Sequence, residues 1–167
     1  CEELDEDCVL PASVNEILTA IISSMREGAT WPVRLAATKS LNLSLSFTSG
    51  NMADVNEANM IVHHICLAAQ VGVNSENENY IIQEDPSGMS EKIRMSAFEC
   101  MVNLAQYFYE NLGNYIPVFF QMTINAIMKD RDLVGLQAIE FWSTVCDAET
   151  NFGEEKNAHG ELFSKRF

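Results

Sequence analysis

Apolar residues recur along this chain at helical spacing, in blocks that come in pairs. Three blocks share one pattern of apolar, x, apolar, x, Ala, x, charged, x, apolar: "VRLAATKSL" from Val33, "IRMSAFECM" from Ile93 and "VGLQAIEFW" from Val134. Each follows another apolar block, "VNEILTAIISSM", "NEANMIVHHICLAA" and "YIPVFFQMTINAIM" in turn. Apolar positions three and four apart define one face of an amphipathic helix, so the pattern predicts six helices in three hairpins. Their expected spans are 12–27, 32–48, 55–70, 90–110, 114–129 and 132–147.

The last two repeats start 41 residues apart (93 and 134) and the first two 60 apart (33 and 93). A period near 41 fits two-helix repeats of the HEAT or armadillo kind, about 40 to 47 residues long. The extra length falls in "GVNSENENYIIQEDPSGMS", whose Asn, Ser, Gly and Pro content predicts an irregular insertion over about 72–89. The predicted fold is all-α, a right-handed α-solenoid of about three HEAT-type hairpins at about 12–48, 55–110 and 114–147. Residues 148–167 read as a linker leading to a next repeat.

"SLNLSLSF" tests this reading, because Leu41, Leu43, Leu45 and Phe47 alternate with polar residues as a half-buried strand would. Helix is preferred because Val33, Ala37, Leu41 and Leu45 form a ladder of four-residue steps. Equivalent ladders are Ile93, Ala97, Met101, Leu104 and Phe108, and Val134, Ala138, Trp142 and Val145. An alanine at the same place in each lets neighbouring helices approach closely. Pro32 suits a first helical turn, and Ser90 is expected to cap the helix that follows the insertion.

Composition narrows the function. With 47% apolar residues in a length of 167, the chain has enough material for a core. Ten basic against 24 acidic residues, a formal charge of −14, disfavour direct binding to nucleic acid or to an anionic membrane. No apolar run reaches the eighteen or so residues of a membrane-spanning helix, so no membrane insertion is expected. Five widely spaced cysteines without a C-x-x-C argue against a disulfide framework or a zinc ribbon and for reduced thiols. A first residue of Cys1 and an end at "LFSKRF" suggest a piece of a longer protein.

Catalytic signatures are absent: there is no nucleophile elbow, no H-E-x-x-H, no phosphate-cradling loop and no dinucleotide fingerprint. His63, His64 and Cys66 supply too few ligands at helical spacing for a structural zinc and read as a packed helix with one histidine turned to solvent. The acidic run at residues 2–7 and the acids between 76 and 85 read as solvated loops. Glu140 and Asp147, seven residues apart, return to one helix face with their backbones about 10.5 Å apart along the axis, and nothing else in the sequence supplies a pocket, metal or nucleophile to go with them. No enzyme and no cofactor or metal is expected, although an all-α enzyme remains a hypothesis that metal analysis tests. Leu18 and Ile22 in one first helix, and Met60 and Ile61 in the next, suit either ordinary core or the lining of a groove between hairpins.

"NEILTAII" followed by "VRLAATKSLNLSLSFT", and "LQAIEFWSTVCDAE" after "YIPVFFQMTINAIMKDRD", closely resemble importin-β, the family of HEAT-repeat nuclear transport receptors. The likeness runs from about residue 1 to about 150, broken by the insertion, and corresponds to the region around the fifth to seventh repeats. It implies a receptor working between cytoplasm and nucleus and at pore complexes. It also implies outer-helix grooves for the phenylalanines of Phe-Gly nucleoporins, formed here by Leu18, Thr19, Ile22, Glu57, Met60 and Ile61. Met60 stands where the family more often has phenylalanine. The same resemblance makes Glu140 and Asp147 acids that face Ran-GTP, and it implies contact with importin-α or cargo through the full-length protein. The alternative within this fold is a HEAT adaptor of another pathway, of phosphatase or vesicle-coat type.

Overall fold

The computed structural model describes residues 11–74 and 80–158. The acidic run at 2–7, Cys1 and Cys8, residues 75–79 of the insertion and the end of the expected linker at 159–167 lie outside the described residues. Helix α1 (Pro11–Ser24) pairs with α2 (Trp31–Ser44), which continues as a 3-10 turn over Leu45–Phe47. A short α3 (Ser49–Ala53) leads into α4 (Val55–Ala68), which packs on α5 (Met89–Tyr107). A 3-10 segment at Tyr109–Asn114 then connects to α6 (Ile116–Lys129), which pairs with α7 (Asp132–Ala158). These are the HEAT-type hairpins of an α-solenoid.

The second helix of each hairpin forms one continuous layer, in which α5 packs against α2 on one side and α7 on the other. Alanine is the reason this layer closes up: Ala37, Ala97 and Ala138, at the same repeat position, are all buried. With only a methyl group at the crossing, the backbones approach and larger neighbours such as Leu41, Met101 and Phe141 fill the space beside them, each wholly buried. The first helices, α1, α4 and α6, form the other layer and scarcely touch one another. One layer is tight and the other is splayed.

Helical spacing accounts for "SLNLSLSF". A strand would bury Leu41, Leu43, Leu45 and Phe47 on one face, whereas here Leu43 is 42% exposed while Leu41 and Leu45 are fully buried. Of the expected ladders only Val33 turns out of the core, at 47% exposure. Pro32 lies in the first turn of α2, preceded by Thr30 in an extended conformation. Asp54 caps α4 by accepting from the backbone N–H groups of Asn56 (2.8 Å) and Glu57 (3.1 Å).

Three expectations need correction. Ser90 does not cap α5: the helix starts at Met89 after Gly88, and Ser90 donates its own N–H to Asp85 Oδ2 at 2.7 Å. Asp85 also accepts from the Ser87 N–H (2.9 Å) and hydroxyl (2.6 Å), so a carboxylate before the helix does the work assigned to the serine. The insertion is not wholly irregular, since Val73–Asn74 pairs antiparallel with Ile81–Ile82. Finally, α7 runs on to Ala158, so residues 148–158, read as linker, are helical.

The root of the insertion is fastened into the solenoid by a buried ionic network. Arg94 of α5 donates Nε to Asp130 Oδ2 and Nη2 to Asp130 Oδ1, both at 2.8 Å, and both side chains are 0% exposed. Its remaining nitrogen, Nη1, donates to the Val71 carbonyl (2.8 Å), and Tyr80 donates its hydroxyl to Asp130 Oδ2 (2.6 Å). Burial, the hydrogen bond and the negative charge of Asp130 all hold the Tyr80 phenol protonated above its ordinary range. Gly72, at φ +71°, turns the chain away at this point, and a Cβ there would lie 3.0 Å from that of Ser90.

The network ties the second hairpin to the third, and among the described residues no ion pair joins the first to the second. Arg34 occupies in α2 the repeat position of Arg94, yet its Nε has no hydrogen-bond partner. Burial lowers the pKa of Arg34, and the charge of Glu27 only partly offsets this. The seam between α2 and α5 is joined instead by apolar contact and by Asn103, which donates to Asn42 Oδ1 at 2.8 Å.

Candidate functional site

Splayed outer helices leave depressions between them. The one between α1 and α4 has a volume of about 200 Å³ and is lined by Asn15, Leu18, Thr19, Asn51, Glu57, Met60 and Ile61. Leu18 and Ile61 form its floor at 4% and 1% exposure, and Met60, 44% exposed, is its lip. An apolar cavity of about 150 Å³ takes a benzene molecule. The depression is therefore of a size for one aromatic side chain, with a pliable thioether to close over it.

The other end of the depression is polar. Asn51, on α3, donates its side-chain nitrogen to Asn15 Oδ1 on α1 (2.6 Å) and to Glu57 Oε2 on α4 (2.5 Å). Thr19 turns its hydroxyl back to the Asn15 carbonyl at 2.7 Å. Five of the six residues named from sequence thus line one depression. Ile22 does not: one turn beyond Leu18 it is buried at 7% exposure and lies outside the lining. Asn15 and Asn51 were missed, because a hydrogen bond spanning 36 residues leaves no periodic trace in the chain.

A second outer depression, of about 270 Å³, lies between α4 and α6, with Ala69, Phe98, Val118 and Met122 joined by Val73 and Tyr80 of the insertion. Glu140 and Asp147 are both exposed on α7, in the layer of second helices. Glu140 shares its repeat position with Lys39 on α2, which is exposed, and Glu99 on α5, which is half-buried. Among the described residues no group of three or more His, Cys, Asp or Glu side chains could hold a metal ion, and no helix is long and apolar enough to cross a membrane. Burial raises the thiol pKa of Cys66 to about 11 and pushes that of Cys100 up as well.

No protein-family model matches the sequence. Importin subunit beta-1 of Arabidopsis thaliana is 38% identical to it over 157 residues, covering 93% of this chain. The protein of the same name from Schizosaccharomyces pombe is 32% identical over 151 residues, covering 89%. The crystal structure of importin beta in an ammonium sulfate condition matches with a TM-score of 0.74 and 29% identity, over 98% of this chain. This chain belongs to the importin-β family.

It spans only a small part of its relatives, 16% and 15% of the two importin subunits and 17% of the solved chain. What the importin-β likeness covers is the run of helical hairpins, including α1, α4 and the depression between them.

Proposed function

We propose that this chain is the part of a nuclear import receptor that receives Phe-Gly nucleoporin segments on its outer helices. The α1–α4 depression carries the reading: an apolar floor for one aromatic ring, a flexible methionine lip, and a polar end able to meet a peptide backbone. Family membership supports it. A benzyl group losing about 100 Å² of contact with water gains about 2.5 kcal/mol, short even of the roughly 4 kcal/mol that corresponds to millimolar affinity. Each insertion is consequently weak and quickly reversed, and useful binding comes from many aromatic residues on one disordered strand.

On the other layer, Glu140 and Asp147 are assigned to the approach of basic side chains of Ran-GTP. Exposed acids of this kind mainly raise encounter rates and select partners. No chemistry is performed in this reading, which has the receptor passing between cytoplasm and nucleus through pore complexes and meeting importin-α or cargo through the full-length protein.

Amide NMR with a labelled Phe-Gly peptide tests it. Shifts should cluster at Leu18, Thr19, Met60 and Ile61, vanish with a peptide in which Phe is replaced by Ala, and be lost in Met60→Asp, whose exposed position spares the core. Shifts that are absent or scattered would reject the reading and favour a HEAT adaptor of another pathway.

A further inference from the structure

We infer that Asn51 is a positioning residue that sets the width of the α1–α4 groove, and through it the affinity for an aromatic guest; this second step rests on the reading above. The outer helices scarcely pack on one another, so their separation at this point needs a direct tie. Asn51 supplies one from a third element. A carboxamide nitrogen carries two hydrogens, and here they go to Asn15 Oδ1 on α1 and Glu57 Oε2 on α4, at 2.6 and 2.5 Å. Both donors are used on opposite walls, which leaves the tie little slack. Because an ionised carboxylate only accepts, Glu57 fixes which end of the Asn51 amide faces it. Charge-assisted bonds of this kind are short and strong. Among the described residues of the lining, Glu57 is the only charged side chain.

The chemistry suggests a test that packing alone would not pass. Asn51→Asp keeps the shape but replaces the donor by a second carboxylate facing Glu57. At pH 7 the two acids repel, and as pH falls the pair takes up one shared proton that restores an O–H···O bridge. In the free chain, the Met60 and Ile61 methyl resonances of Asn51→Asp should differ from those of wild type at pH 7, and the difference should shrink by about pH 5, each pair being compared at one pH because the His64 ring bonds the Met60 carbonyl (2.9 Å) in both proteins. Phe-Gly peptide affinity should fall about tenfold at pH 7, the loss of one charged hydrogen bond, with the variant-to-wild-type ratio recovering in acid. Asn51→Ala should lose affinity similarly and show no recovery.

Unmoved methyl resonances in the free chain would overturn the inference, whatever the peptide does. Moved resonances with unchanged peptide affinity would overturn its second step. A wild-type chain that ignores the peptide would refute the proposed function, while the methyl measurement still decides whether Asn51 holds the groove.

Discussion

Replacing Asp130 by alanine should be among the most damaging single changes to this chain, although it deletes only a short side chain in a connection between helices. Both members of the Arg94–Asp130 pair are 0% exposed, so the variant leaves a guanidinium in the interior with the Val71 carbonyl as its one remaining acceptor. Breaking a buried pair in this way costs about 3–5 kcal/mol, because the surviving charge remains desolvated. Tyr80 loses its acceptor as well. In a domain of this size each kcal/mol moves the midpoint by about 2–4 °C, so the melting temperature should drop by about 6–20 °C. Thermal and urea melts of Asp130→Ala, Arg94→Met and the double variant form the assay. Arg94→Met/Asp130→Ala should be more stable than Asp130→Ala alone by about 1 kcal/mol or more, since it removes the stranded charge. An Asp130→Ala protein within about 0.5 kcal/mol of wild type, or a double variant equal to the sum of the singles, would show that the network does not carry the stability attributed to it.

Gly72→Ala should cost about 1–3 kcal/mol, because a Cβ at φ +71° is strained and would meet the Ser90 Cβ at 3.0 Å; a melt within about 0.5 kcal/mol of wild type would contradict this. Desolvation alone would raise the Asp85 pKa, but hydrogen bonds from Ser87 and Ser90 outweigh it and bring the group down to about 2. Since its folded pKa is depressed from an unfolded value of about 3.9, the cap's contribution is present above pH 4 and disappears as pH falls through about 2, which faster exchange of the Ser90 amide would report. Among the described cysteines, Cys146 is exposed while Cys66 and Cys100 are half-buried and buried, with raised pKa values. A thiol reagent at pH 8 should therefore modify Cys146 well ahead of the other two, as peptide mass analysis would show.

The helices and their pairing were legible because they follow from periodicity. A four-residue ladder with alanine at a repeated place states which face is buried and that a neighbour comes close, and the burial of Ala37, Ala97 and Ala138 follows from it. What was illegible depends on contacts between distant residues. Nothing local marks Arg94 as the partner of Asp130, 36 residues away, or Arg34 as the arginine whose Nε goes without one. Ser90 looked like a cap because serine often is one; that Asp85 lies within reach instead depends on the turn at Ser87 and Gly88. At the groove, resemblance named Leu18, Met60 and Ile61 among its residues, but Ile22 is buried outside the lining, and the polar end built by Asn51 depends on hydrogen bonds between residues far apart in the chain.

The two seams of this solenoid differ in how they resist bending. Between the second and third hairpins a bidentate ion pair acts as a rivet, since a small lateral slip breaks directed bonds and bares a charge. Between the first and second, the second helices α2 and α5 adhere mainly through non-directional apolar contact, which can glide at small cost, and the short directed bonds lie at the outer edge, where Asn51 joins α1 to α4. Flexure at this seam is therefore resisted chiefly at the α1–α4 groove. By thermodynamic reciprocity, a ring wedged there and the pitch of the superhelix must each influence the other.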